Sequence, residues 1–319
     1  MTGRGAAASG AIASGVRTAE YDAFGPWIIQ VSTPEDVPRL YRSFPLDLGS
    51  SLLVLKIPRG IARRDANPSM DLYDHLIVAR SDRLTVLSRR SSAYIAVDVD
   101  YASIVAIEDS VDLLDGLLTL HTDTGAAMTL PYNGSSQPMM SALVTLLRGR
   151  SLATAGAVRR GGSRWRAALP GQGLPTPGLR DLGDRDVALV TEQRDLFRRE
   201  PDLRFLAAHG GRAVAPRGGS LTDLLRAARP TNLQGAVVCA TEDELQILCR
   251  RHWFVRRSRP VHSITRLVLP VARVDAITTR EDLRYAEVRL LTIHAGGTRL
   301  ELALPTGSLM ERVLTALPA

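Results

Sequence analysis

The side chains in this sequence best suited to bind a metal or to act as base or nucleophile are six histidines and two cysteines: His75, His121, His209, His252, His262, His294, Cys239 and Cys249. Their spacing does not support that chemistry. No two histidines fall in an H-x-x-x-H or H-E-x-x-H pattern, and the cysteines are too far apart for a C-x-x-C pair. The glycine-rich loops that cradle phosphate or a dinucleotide and the G-x-S-x-G nucleophile elbow are also missing. Asp98, Asp100, Glu108, Asp109, Asp112 and Asp115 form an acidic stretch, yet they straddle strand ends and loops without the Gly-anchored calcium-loop pattern. They read as a solvated or partner-facing edge. The cysteines read as core residues, because a buried free thiol packs as a small hydrophobe. These residues imply no catalytic constellation, no metal site and no cofactor, so the expectation is a protein that is not an enzyme.

The densest remaining feature is Arg250, Arg251, His252, Trp253, Phe254, Val255, Arg256, Arg257, Ser258 and Arg259. Five arginines around two aromatic rings are the side chains that dominate protein interfaces. Arg250, Arg251, Trp253, Phe254, Arg256, Arg257 and Arg259 are therefore the candidate partner-binding residues. The competing reading is a β-hairpin extension whose rings pack on their own module.

Those residues must be carried by a scaffold, and the chain is long enough for two. It has 319 residues, against about 100–150 for a common domain, and its 45% hydrophobic and 23% charged composition is that of a globular protein. No apolar run approaches the roughly 18 residues of a membrane-spanning helix. Residues 1–20 are rich in Ala, Gly and Ser without a continuous apolar stretch, and are expected to be a disordered tail of a cytoplasmic protein.

A search for internal repeats is the informative step. LIVARSDRLTVLSRR at 76–90 matches VVCATEDELQILCRR at 237–251 without a gap, and VDVDYASIVAIED at 97–109 matches LVLPVARVDAITT at 267–279. LLTLH at 117–121 returns as LLTIH at 290–294, and Leu130-Pro131 as Leu304-Pro305. Met-led apolar segments close both series at 140–147 and 310–317, while LYRSFP at 40–45 is answered upstream by LFRREP at 196–201. The preserved order implies a duplicated module, one copy at 21–149 and the other at 186–319. Residues 150–185, with GGSRWRAALPGQGLPTPG, are expected to be a flexible linker.

In the first copy the apolar pattern predicts seven strands, at 51–57, 75–79, 84–88, 94–99, 103–108, 117–121 and 127–131. An amphipathic helix follows at 138–148, its face formed by Met140, Leu143, Val144 and Leu147. This count, the closing helix and the strand at 104–107 with its counterpart at 274–277 resemble the pleckstrin-homology-like superfamily, including its bacterial and GRAM forms. The resemblance covers about 51–149 and 211–319. It implies a mainly β (α+β) protein of two seven-stranded sandwiches or barrels, each closed by a helix. The segments at 34–44 and 191–205 are expected to be an added strand-helix element in each copy. The resemblance also draws attention to Lys56, Arg59, Arg63 and Arg64, which lie where lipid-binding members hold an inositol phosphate. Arg212 and Arg217 are the nearest basic residues in the second copy.

The first copy carries 11 basic and 15 acidic residues, the second 20 and 15. Complementary halves suit protein contacts, within or between chains, and argue against nucleic acid. The expectation is a cytoplasmic scaffold that binds a protein partner or itself. The alternative is a peripheral membrane protein docking anionic lipid through its basic loops, with an enzyme site between the modules a distant third.

Overall fold

A computed structural model of the chain describes residues 18–155, 182, 186–218, 231–256 and 261–316. The chain is a mainly β, α+β protein of antiparallel sheets with few helices. Its contacts divide it into two units. One comprises residues up to 80 with 85–97, the other 81–84 with 98 onward.

The first unit is built on a five-stranded sheet in the order β1 (Ile29–Gln30), β2 (Leu53–Pro58), β3 (Tyr73–Ala79), β4 (Arg83–Arg90) and β5 (Ala93–Asp100). β4 and β5 contribute residues to both units. One face of this sheet buries Val54, Leu76, Val78 and Leu87 against Phe24, Val31, Val37 and Tyr41. The partners at 34–44 are two single 3-10 turns, Pro34–Asp36 and Arg39–Tyr41, and not the strand and helix the sequence suggests. Pro34 and Pro38 explain the difference, since proline opens a helical turn but cannot continue one. Residues 18–20 are also ordered, the short helix α1 (Ala19–Ala23) being capped by Thr18.

The second unit begins with the meander β6 (Ile104–Asp112), β7 (Asp115–Thr122) and β8 (Ala127–Asn133), then helix α2 (Gln137–Ala155). After α3 (Val187–Arg199) come β9 (Arg204–His209), β10 (Arg212–Val214), β11 (Thr231–Leu233), β12 (Ala236–Ala240), β13 (Glu244–Cys249), β14 (Phe254–Arg256), β15 (Ile264–Pro270), β16 (Ala276–Glu281), β17 (Val288–Ala295), β18 (Thr298–Pro305) and α4 (Leu309–Thr315). Met140, Leu143, Val144 and Leu147 do form the buried face of α2, and Ser151 and Ala155 extend it. Helix therefore occupies the first residues of the expected linker, whose remainder is, Leu182 apart, outside the described residues, as is the tail at 1–17. In the second copy the residues before β9 form a helix, α3, as the strand-helix expectation has it in part.

The element order follows the sequence repeat. β2 to β5, a 3-10 turn at Tyr101–Ser103, β6 to β8 and α2 are matched by β9, β12, β13, β15, a 3-10 turn at Val271–Arg273, β16 to β18 and α4. The sheets depart from it. The second unit contains a seven-stranded sheet ordered β8-β7-β6-β15-β13-β12-β9, so three strands of the first copy and four of the second share one ladder. β6 and β15 pair from Ile264 opposite Val111 to Val268 opposite Ile107. Two self-contained modules with boundaries at 149 and 186 are thus not what the strand pairing builds. Periodicity cannot reveal this, because an edge strand satisfies its hydrophobic pattern whichever neighbour completes its backbone hydrogen bonds.

The second unit's core joins Ala106 to Val238, Ile247, Leu269, Leu291, Ile293, Leu302, Met310 and Leu314. Cys249 belongs to it, and Cys239 to a second cluster against α3. Both thiols are free, and burial pushes Cys239 up to about 12 and raises Cys249 as well. The equivalent hairpin tips of the two copies touch. Gly297 donates its N–H to the Asp123 carbonyl at 2.5 Å, and the Thr298 hydroxyl donates to the Thr122 carbonyl at 2.7 Å. Gly125 sits at φ +84° and Gly296 at +57°, backbone that side chains disfavour. No described helix is long and apolar enough to cross a membrane.

Candidate binding site

A small third sheet, β10-β11-β14, has no counterpart among the strands of the first copy. Its strand β14 lies in the extension the sequence places at 250–259, and the sheet borders a cleft. Leu233 of β11 lies opposite Phe254 of β14, and Val214, Leu233, Val288, Leu290 and Ala303 form an apolar cluster on which Trp253, Phe254 and Tyr285 pack. An open cavity of about 340 Å³ lies above it, lined by Arg251, His252, Trp253, Phe254, Arg284, Leu290, Glu301, Leu302 and Ala303. Phe254 stacks on Tyr285 with ring centroids 4.7 Å apart. The Arg284 guanidinium lies 5.1 Å from the Phe254 centroid and 5.7 Å from that of Tyr285. Its side chain, 60% exposed, lines the opening and pairs with the buried Asp282 carboxylate at 3.3 Å. Leu283 beside it is 79% exposed.

The seven candidate partner-binding residues thus separate into groups. Trp253 and Phe254 line the cleft while half-buried in it, so packing and presentation coincide. Arg250 is buried, bonded to Asp186 at 3.3 Å and to the Ser263 carbonyl at 2.8 Å. Arg251 lines the cleft with its stem, but its guanidinium is held by the Ser110 hydroxyl at 2.9 Å and by Asp115 at 2.5 Å, tying β13's end to β6 and β7. Both arginines therefore do structural work. Arg256 is exposed on β14, and Arg257 and Arg259 lie outside the described residues.

Arg284, Tyr285 and Glu301 complete the cleft and escaped the sequence reading. A signal for Arg284 and Tyr285 was present. β6 and β7 are joined by Leu113 and Leu114 alone, whereas β16 and β17 are joined by residues 282–287. The comparison of copies that isolates 250–259 also isolates this longer turn. Asp282, 1% exposed, organises it by accepting the Arg284 and Tyr285 backbone N–H groups at 2.6 and 2.9 Å.

The other candidates stay apart. The Lys56 side chain is buried, donates to the Asp36 carbonyl at 2.8 Å and lies 5.2 Å from the Tyr73 ring centroid. Burial lowers its pKa. Arg59 donates to the Asp71 carbonyl, and Arg63 to the Phe24 carbonyl while lying over the Tyr21 ring. Arg64 pairs with Asp65 at 3.8 Å on the surface. Arg212 contacts Glu287 and Arg217 pairs with Glu281. These groups are spent largely on carbonyls and carboxylates of their own chain, which removes the convergence a phosphate needs.

The acidic stretch is dispersed in the same way. Asp98 faces Arg83, Glu108 faces His121, and Asp109 accepts the Tyr132 hydroxyl at 2.6 Å, its carboxyl raised chiefly by burial. His121 and His294, equivalent in the repeat, each reach across to the neighbouring strand, to Glu108 and to Thr278. His75 bonds Ser88, and His209 bonds its neighbour Gly210, burial lowering it to about 4. Among the described residues no three His, Cys, Asp or Glu side chains are grouped to hold a metal ion.

A charged cluster does sit inside the second unit. Arg148 of α2 forks to Glu200 at 2.8 and 2.9 Å and to Glu244 of β13 at 3.1 and 2.5 Å, while Arg266 of β15 reaches Glu200 at 2.5 Å and Gln246 at 2.9 Å. Burial alone would raise Glu200, but the Arg148 hydrogen bonds and the Arg266 charge bring it down to about 2. Burial and the Arg148 charge lower Arg266. Two cations and two anions balance, so the cluster pins helix α2 to β13 and β15.

No protein-family model matches the chain, and no curated protein matches it.

Proposed function

We propose that the chain is a non-enzymatic binding protein, made of two pleckstrin-homology-like copies, that receives a protein partner in the cleft of Trp253, Phe254 and Arg284. The family reading rests on element order: four antiparallel strands, a 3-10 turn, three more strands and a helix, twice. The exchange of strands between copies at β6 and β15 is its main departure from that pattern.

One observation carries the functional reading. Five of the nine residues lining the cleft come from two additions to the second copy, the segment at 250–259 and the turn at 282–287, set on Leu290, Glu301, Leu302 and Ala303 of the repeated strands β17 and β18. Stacked rings on an apolar floor with an exposed guanidinium over them suit a protein segment that presents an acidic side chain beside an apolar one. Arg284→Glu reverses the charge at the opening and also removes the Asp282 ion pair, while Asp282 keeps its two backbone N–H bonds. It is expected to weaken capture of the principal partner at least tenfold, with the second unit still folded and its melting temperature only modestly lower. Equal capture by both proteins refutes the reading. Anionic lipid is a less supported ligand, because Lys56, Arg59 and Arg63 are engaged within their own chain.

A further inference from the structure

The junction of β6 with β15 joins an edge of the first copy's second meander to an edge of the second copy's first meander. The duplication supplies the complementary pair of edges, and among the described residues both are open. β5, the counterpart of β15, is the edge of the five-stranded sheet, and β16, the counterpart of β6, is the edge of the three-stranded sheet β16-β17-β18. The flanking 3-10 turns at 101–103 and 271–273 fix the correspondence at 170 residues. We infer that β5 of one chain pairs with β16 of a second copy of this chain, reproducing the β6–β15 junction between molecules.

The register follows without further choice. Arg266 opposite Asp109 becomes Ala96 opposite Thr279, Thr265 opposite Ser110 becomes Ile95 opposite Arg280, and Leu267 opposite Glu108 becomes Val97 opposite Thr278. The surfaces suit this use. Ile95 is 51% and Val97 44% exposed on the same face of β5, and Thr278, Thr279, Arg280 and Glu281 of β16 are exposed. Long edge strands with outward apolar residues normally carry lysine, proline or a bulge that blocks addition. β8, an edge of the seven-stranded sheet, has Pro131 within it, whereas β5 runs eight residues with neither proline nor lysine. Backbone ladder addition gives affinity and the alternating side chains give register. A contact between different edges is heterologous, so it builds either a closed dimer that uses both edges twice or a longer head-to-tail assembly.

This surface adjoins the Trp253 cleft, Arg280 of β16 pairing with Glu301 of the cleft lining at 3.0 Å, but does not include Arg284, and Arg284→Glu is expected to leave the assembly intact. The test uses two single substitutions at exposed positions, Ala96→Cys and Thr279→Cys, in the full chain. Cys239 and Cys249 are buried with raised pKa values and do not compete for a maleimide. Mixing the two proteins with a short bismaleimide is expected to give a cross-linked pair in amounts that neither protein gives alone. Light scattering of the unmodified chain is expected to show a mass that rises with concentration, and Ile95→Lys with Val97→Lys to hold it at one chain with unchanged melting. A monomeric mass at all concentrations, or no excess of cross-link in the mixture, overturns the inference.

Discussion

Replacing Arg148 by Met removes the cation that serves two buried carboxylates while keeping most of the side chain's packing volume. The Arg148 side chain is 13% exposed and that of Glu244 only 4%. Glu200 retains Arg266 and Gln246, but Glu244 keeps only a 3.4 Å contact to Gln246. The cluster then carries an uncompensated negative charge, a change that costs about 3–5 kcal/mol when a buried pair is broken on one side. At roughly 2–4 °C per kcal/mol for a unit of this size, the second unit should melt about 6–20 °C lower at pH 7. Differential scanning calorimetry is the assay, because two units can give two transitions and only one should move. The double variant Arg148→Met with Glu244→Gln restores neutrality and should recover most of the loss. A single variant that melts within about 1 kcal/mol of the parent, or a double variant no better than the single, would refute the view that this cluster is a balanced internal charge pair.

Further outcomes follow from the same structure. Glu200 titrates near 2 in the folded chain against an ordinary 4.5, so its contribution is present above pH 4.5 and lost as pH falls from 4.5 towards 2. That loss amounts to about 3 kcal/mol, and chemical denaturation across this window should show a shallower acid slope in Glu200→Gln. Ile104→Ala empties a fully buried site and should cost about 2–5 kcal/mol, whereas its counterpart Val274→Ala, only half-buried, should cost roughly 1 kcal/mol or less by thermal melting. Gly297→Ala would place its Cβ 2.8 Å from the Thr124 backbone, and the overpacking should lower stability by about 1–3 kcal/mol.

Strand periodicity proved a good guide to elements and a poor guide to their neighbours. The seven strands read in the first copy lie within a few residues of β2 to β8, and the helix begins where expected but runs on to Ala155, because alternating or continuous apolar runs such as Ile104 to Ile107 carry their own signal. The β6–β15 pairing has no such signal: Ser110 and Thr265 hydrogen-bond across it at 2.8 Å, yet each is an ordinary strand residue in sequence. Charge was misleading for a related reason. Arg250 and Arg251 read as free guanidinium groups beside the aromatics, but Asp186 and Asp115, far away in sequence, claim them. Trp253 and Phe254 were legible because the first copy lacks them, and Arg284 could have been found by the same subtraction.

The binding cleft is the central claim, and site-directed photo-cross-linking tests it most directly. A photo-reactive amino acid replaces His252, exposed at the cleft, or Glu35, exposed in the other unit, and the full chain is irradiated in its host cell. The account predicts one dominant protein adduct from position 252, absent from position 35 and lost when Arg284→Glu is added. Equal adducts from both positions, or an adduct at 252 that survives Arg284→Glu, would contradict it.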